Sequence, residues 1–121
     1  MIEKLTDSAE NIIGFRIQGK LTEADYQNVL DPEIEQGIAQ YGKIRVLFQM
    51  EKFEGWTVGG AWEDLILGPK FVSVEKLALV VDETWDEWIT WLFRIFTALT
   101  RTDTQFFRSE RFAEAWEWIR K

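Results

Sequence analysis

Few residues in this chain could carry chemistry, and two absences narrow them first. There is no histidine and no cysteine, which removes the commonest general base, the commonest transition-metal ligand, the thiolate nucleophile and any disulfide. Carboxylates, Lys, Tyr, Ser and Thr remain. Two adjacent carboxylate pairs occur, Glu63 with Asp64 and Asp86 with Glu87. Both fall in stretches of helical period, where neighbours in sequence point to different faces, so neither makes a ready acid/base pair. Acidic residues early in a helix also complement its dipole. Gly59 and Gly60, after Thr57, would expose backbone N–H groups at a helix start. The stretch matches neither the phosphate-loop nor the dinucleotide pattern, and close helix packing with Thr57 as N-cap accounts for it. No catalytic residue, metal ligand or cofactor site is expected, and the chain reads as a non-enzyme.

The departure from ordinary folding needs is aromatic. From 85 to 99 the apolar residues Trp85, Trp88, Ile89, Trp91, Leu92, Phe93, Ile95, Phe96 and Leu99 sweep roughly 200° of a helix, whereas packing on one sheet face needs a stripe of about 100°. Three readings of the surplus stay open: burial by a neighbouring helix, closure over an apolar pocket, or contact with a membrane or another subunit. If three aromatics left water, each would contribute about 2 kcal/mol, roughly 6 kcal/mol together. That sum compares with one myristoyl chain, so a membrane contact would be peripheral and reversible. Arg94, Arg101 and Arg108 supply positive charge at that end.

These residues must be positioned by strands and helices whose order the sequence suggests. Residues 2–6 read as a short strand and 12–18 as a half-buried strand of period two; the short connection makes them antiparallel neighbours. Thr22 with Asp25 resembles a capping box, opening a helix through Tyr26, Val29 and Leu30. Asp31 followed by Pro32 reads as an interruption, with Asp31 capping a second segment that carries Ile34, Ile38 and Tyr41 and ends at Gly42. Residues 45–50 and 76–81 read as strands buried on both faces, the mark of a parallel sheet. Residues 54–57 read as a loop, followed by a helix carrying Trp62, Leu65 and Ile66. The 85–99 helix, a strand at 102–107, and a last helix capped by Ser109 with Phe112, Ala115, Trp116 and Ile119 complete the order ββαβαβαβα. This predicts one α/β domain over residues 1–121: a mostly parallel five-stranded sheet, its first strand antiparallel, covered by about four helices. In open parallel sheets ligands gather outside the carboxyl ends of strands, which directs attention to residues 51–60 and to the loop of Asp82, Glu83 and Thr84.

Composition limits the partners. The net charge of −7 opposes phosphate backbones, so no nucleic acid is expected, and it also opposes anionic membrane surfaces, so any membrane contact must rest on apolar insertion. The opening residues lack the apolar core of a signal peptide. The longest purely apolar run, from Leu77 to Val81, is far short of the roughly 20 residues a spanning helix needs. A cytoplasmic protein, at most peripheral to the membrane, is expected.

The ordered combination of Gly19-Lys20-Leu21-Thr22 with Asp25-Tyr26, Gly42-Lys43-Ile44-Arg45, Phe53-Glu54-Gly55-Trp56-Thr57 with Trp62-Glu63-Asp64-Leu65, Trp85-x-x-Trp88 with Leu92-Phe93 and Phe96, and Ala115-Trp116-x-Trp118-Ile119 resembles the SpoIIAA-like family across essentially the whole chain. The resemblance implies a STAS-like α/β fold, related in shape to CRAL-TRIO lipid-transfer domains. It also implies a bacterial protein that binds apolar ligands or associates with membranes, with the 85–99 helix as a movable cover. The chain departs from anti-sigma-factor antagonists, which carry a phosphorylatable serine at the start of the helix after the central strand. Here the nearest hydroxyl is Thr57, so regulation by phosphorylation there is not expected. The resulting expectation is a non-enzymatic binding module, with Trp88, Trp91, Phe93 and Phe96 against an apolar or lipid-like ligand and Phe53, Trp56 and Trp62 as the opposite wall. The alternative is a STAS-type interaction module that uses the same helix for a partner or a homodimer.

Overall fold

Alternation of side chains along five strands builds one sheet with two different faces. The computed structural model describes residues 2–6, 8–56, 73–82 and 103–121. The strands are β1 (Ile2–Lys4), β2 (Ile12–Leu21), β3 (Ile44–Trp56), β4 (Val74–Val81) and β5 (Asp103–Arg108). They lie side by side in chain order, β1 antiparallel to β2 and all other neighbours parallel. The mixed α/β sheet expected from the sequence is therefore present. Among the described residues two helical units cover it rather than about four, because the other two expected helices fall at 57–72 and 83–102, outside the described residues.

The first unit follows β2. Thr22 and Asp25 form the predicted capping box: the Asp25 N–H donates to Thr22 Oγ1 at 3.2 Å and the Thr22 N–H to Asp25 Oδ2 at 3.1 Å. Helix α1 (Glu23–Asp25) continues as a π-helical turn, Tyr26–Leu30, into α2 (Asp31–Tyr41). The expected break with Asp31 as cap is incorrect, for Leu30 and Asp31 both keep helical backbone angles and no side chain caps there. The physical reason is the π turn, in which the Asp31 N–H donates to the Tyr26 carbonyl. The widened turn admits Pro32, which has no N–H and would otherwise crowd the carbonyl one turn back. Gly42, at φ 80°, ends the helix as predicted, its N–H donating to the Ile38 carbonyl at 2.8 Å.

Burial raises the Asp25 pKa and hydrogen bonds from the Thr22 amide and hydroxyl lower it; the net of all its interactions holds the carboxyl below its ordinary value of 3.8. A folded-state pKa below the unfolded one gives stability that is present above the unfolded value and lost as pH falls through the folded one. Thr22→Ala is expected to cost about 1 kcal/mol in urea denaturation at neutral pH. The gap between the wild type and Asp25→Ala should close as the pH is lowered below about 4.

Alternation then sorts the core. Ile13, Phe15 and Ile17 of β2, Val46, Phe48 and Met50 of β3, and Leu77, Leu79 and Val81 of β4 join Leu30 and Ile34 of the first helical unit in one cluster. Leu47, Ala78, Val80 and Phe107 face the other way, against Ala115, Trp116 and Ile119 of α3 (Phe112–Arg120). β3 and β4 are thus buried on both faces, as their continuous apolar runs predict. α3 begins after a single 3₁₀ turn, Ser109–Arg111, with no side-chain cap at either start. Ser109 is therefore not the predicted N-cap; its carbonyl accepts the Phe112 N–H instead. The other end of α3 is held by the sheet. Arg45 Nη1 donates to the Ile119 carbonyl at 2.9 Å and Lys76 Nζ to the Trp118 carbonyl at 3.3 Å, placing two cations at the negative end of the helix dipole. No helix among the described residues is long and apolar enough to cross a membrane.

Candidate functional site

The carboxyl edge of the parallel strands is the place the sequence singles out, and two features there decide what a site could be built from. First, the strand order is monotonic. No reversal point opens a crevice between the described strands, so a site at this edge must be built from what projects beyond them. Second, residues 54–56, read as loop, belong to β3, because β2 runs on to Leu21 and gives them a partner. Pairing passes from Gln18 with Glu51 to Lys20 with Gly55 and Leu21 with Trp56. Over that interval β2 advances by two residues and β3 by four, a bulge marked by left-handed backbone at Gly19 (φ 66°) and Lys52 (φ 47°). β3 pairs with β4 only as far as Met50 with Val81. Beyond that pair, β2 and β3 continue as a two-stranded ribbon that carries the backbone of Phe53 and Trp56.

At the root of the ribbon the ends of β4 and β5 meet the body of β3. The N–H of Lys52 donates to Asp82 Oδ2 at 2.8 Å, and Arg108 Nη1 donates to the Asp82 carbonyl oxygen at 3.4 Å. Arg108, expected from the sequence to bring positive charge to this region, is the last residue of β5. Lys20, Lys52 and Arg108 stand against Glu51, Glu54 and Asp82, so the described part of this edge is balanced in charge. On the α3 side of the sheet Arg16 bridges Glu3 (3.4 Å) and Glu51 (3.2 Å), and Gln18 donates to the same Glu51 oxygen at 3.1 Å. That network is half exposed and keeps one net negative charge, its two carboxylates sharing a single guanidinium.

Of the predicted site residues, Phe53 and Trp56 lie three positions apart on the backbone of β3 in the ribbon. Trp62, Trp88, Trp91, Phe93, Phe96 and Thr57 lie outside the described residues. Among the described residues no group of three or more acidic side chains is arranged to hold a metal ion. A shallow cleft of about 190 Å³, lined by Lys4, Ser8, Glu33, Gln40 and Tyr41 among others, opens at the opposite end of the sheet. Its Lys4 and Glu33 are paired at 3.0 Å. The role of Asp82 as a junction was not legible beyond its place in a favoured loop, because its partner Lys52 is 30 residues away.

A monotonic, mainly parallel sheet with an antiparallel first strand and helices on both faces defines a STAS-like α/β domain. The SpoIIAA-like family model matches residues 12–120, and the chain belongs to that family. Among solved structures it is similar to an uncharacterised protein of the DUF3478 family with a SpoIIAA-like fold from Shewanella loihica PV-4. The two share 26% identity, with a TM-score of 0.69 over 98% of this chain and 93% of that one. No curated protein matches the chain.

Proposed function

We propose that this protein is a non-enzymatic binding module that takes an apolar, lipid-like ligand at the carboxyl edge of its sheet, with the aromatic segment 85–99 as cover. The observation that carries the reading is the ribbon. β2 and β3 extend past the end of β4, and this extension includes two of the aromatic positions proposed as a wall. It flanks Asp82, from which the connection containing Trp88, Trp91, Phe93 and Phe96 departs. The balanced charge of the described part of this edge favours recognition by apolar burial over capture of an anion. If three aromatics are covered by the ligand, roughly 6 kcal/mol is available, so binding is reversible. Contact with a membrane surface would draw on the same residues and the same free energy.

Native mass spectrometry of the purified protein, with denaturing extraction of whatever co-purifies, tests the reading directly. A bound fatty acid or similar molecule is the expected result. Titration with a fluorescent fatty acid should show Trp91→Ala and Phe93→Ala each weakening binding by at least about tenfold. Unchanged affinity in both variants would overturn the proposal. An empty dimer that dissociates on the same substitutions would replace it with a STAS-type interaction module.

A further inference from the structure

We infer that Asp82 is a positioning residue that locks the aromatic end of β3 to the root of the 83–102 connection. The inference rests on the proposed site for its functional meaning and on hydrogen-bond geometry for its substance. Lys52 sits at φ 47°, a left-handed conformation that a residue with a side chain adopts only where its surroundings enforce it. The enforcing contact is the 2.8 Å hydrogen bond from its N–H to the Asp82 carboxylate, a charge-assisted bond of the stronger kind. It stands where the β3–β4 ladder has just ended at Met50 and Val81. The carboxylate therefore does for Lys52 what the next ladder partner would have done. Asp82 also follows β4 directly, and its carbonyl oxygen takes the guanidinium of Arg108 at the end of β5.

Three strands are thereby referred to one residue, which is also the residue where the chain leaves the sheet toward position 83. The carboxylate holds the kink that leads into residues 53–56.

The test is amide hydrogen exchange by NMR on the full chain, comparing wild type, Asp82→Ala and Asp82→Asn. Asp82→Ala is expected to speed exchange at Lys52 and residues 53–56 by at least about tenfold, the loss of one hydrogen bond to a charged acceptor. The amides of Phe15 and Phe48 should change little. Asp82→Asn keeps an acceptor oxygen and should restore most of the protection. Affinity for a fluorescent fatty acid should fall in the same order, wild type above Asn above Ala. No change at residues 52–56, or an equal change throughout the sheet, would overturn the inference. If the wild type binds no fatty acid, the pocket reading fails, while the exchange pattern still decides the role of Asp82.

Discussion

Phe48→Ala is expected to cost about 3–5 kcal/mol, a large share of the roughly 5–15 kcal/mol by which a domain of this kind is stable. Phe48 lies in the central strand, 1% exposed, stacked on Phe15 with ring centroids 5.8 Å apart and planes at 22°. It pairs with Phe15 on one side and Leu79 on the other. Truncation removes both the transfer free energy of the ring and the contacts of its neighbours, which are anchored in strands and cannot collapse into the space. Phe48→Leu keeps much of the volume and should cost less. Urea denaturation followed by far-UV circular dichroism measures both; a Phe48→Ala midpoint equal to wild type would mean that this cluster does not hold the sheet together.

The second large effect concerns the docking of α3, and a double-mutant cycle isolates it. Trp116 is 5% exposed, and a Cβ placed on Gly14 would stand 2.7 Å from Cη2 and 2.9 Å from Cζ2 of its indole. Gly14 is thus the floor on which the ring lies. Trp116→Ala is expected to cost about 3–5 kcal/mol by opening a cavity, and Gly14→Ala about 1–3 kcal/mol by pushing the ring and its helix off the sheet. In the double variant the added methyl meets no ring, so the combined loss should fall short of the sum by about 1 kcal/mol or more. Strict additivity in urea denaturation would show that α3 is not held through this contact.

Much of the fold was legible because its causes are local. The period-two alternation of 12–18 and the apolar runs of 45–50 and 76–81 report which faces are buried. Thr22 and Asp25 stand three residues apart, within one helical turn, so their capping box could be read directly. The strand–helix alternation that predicts a mostly parallel sheet follows from the same patterns. The candidate site was legible only in outline. The aromatic content of 85–99 is a property of the sequence, whereas what its residues face is a property of tertiary packing.

The errors have a common origin. Asp31 looked like a cap because Pro32 looked like a break, but a π turn that draws the Asp31 N–H to Tyr26 carries the helix through. Ser109 has the right residue type for a cap, yet a 3₁₀ turn intervenes before α3. Residues 54–56 have the composition of a loop and became strand because β2, far away in sequence, supplies pairing at Lys20 and Leu21.

The sequence by itself determined the class of fold, the sidedness of the central strands, the opening cap of the first helix, the lack of histidine and thiol chemistry, and the unusual aromatic stretch. Tertiary structure alone decided where β3 ends, that Lys52 is left-handed, that Asp82 bonds to both β3 and β5 at the end of β4, and that Arg45 and Lys76 cap a helix more than forty residues further on. The physical reason is range. Periodicity and capping depend on residues within a turn or a few positions of each other, whereas ladder pairing and these hydrogen bonds depend on partners that meet only once the sheet has formed.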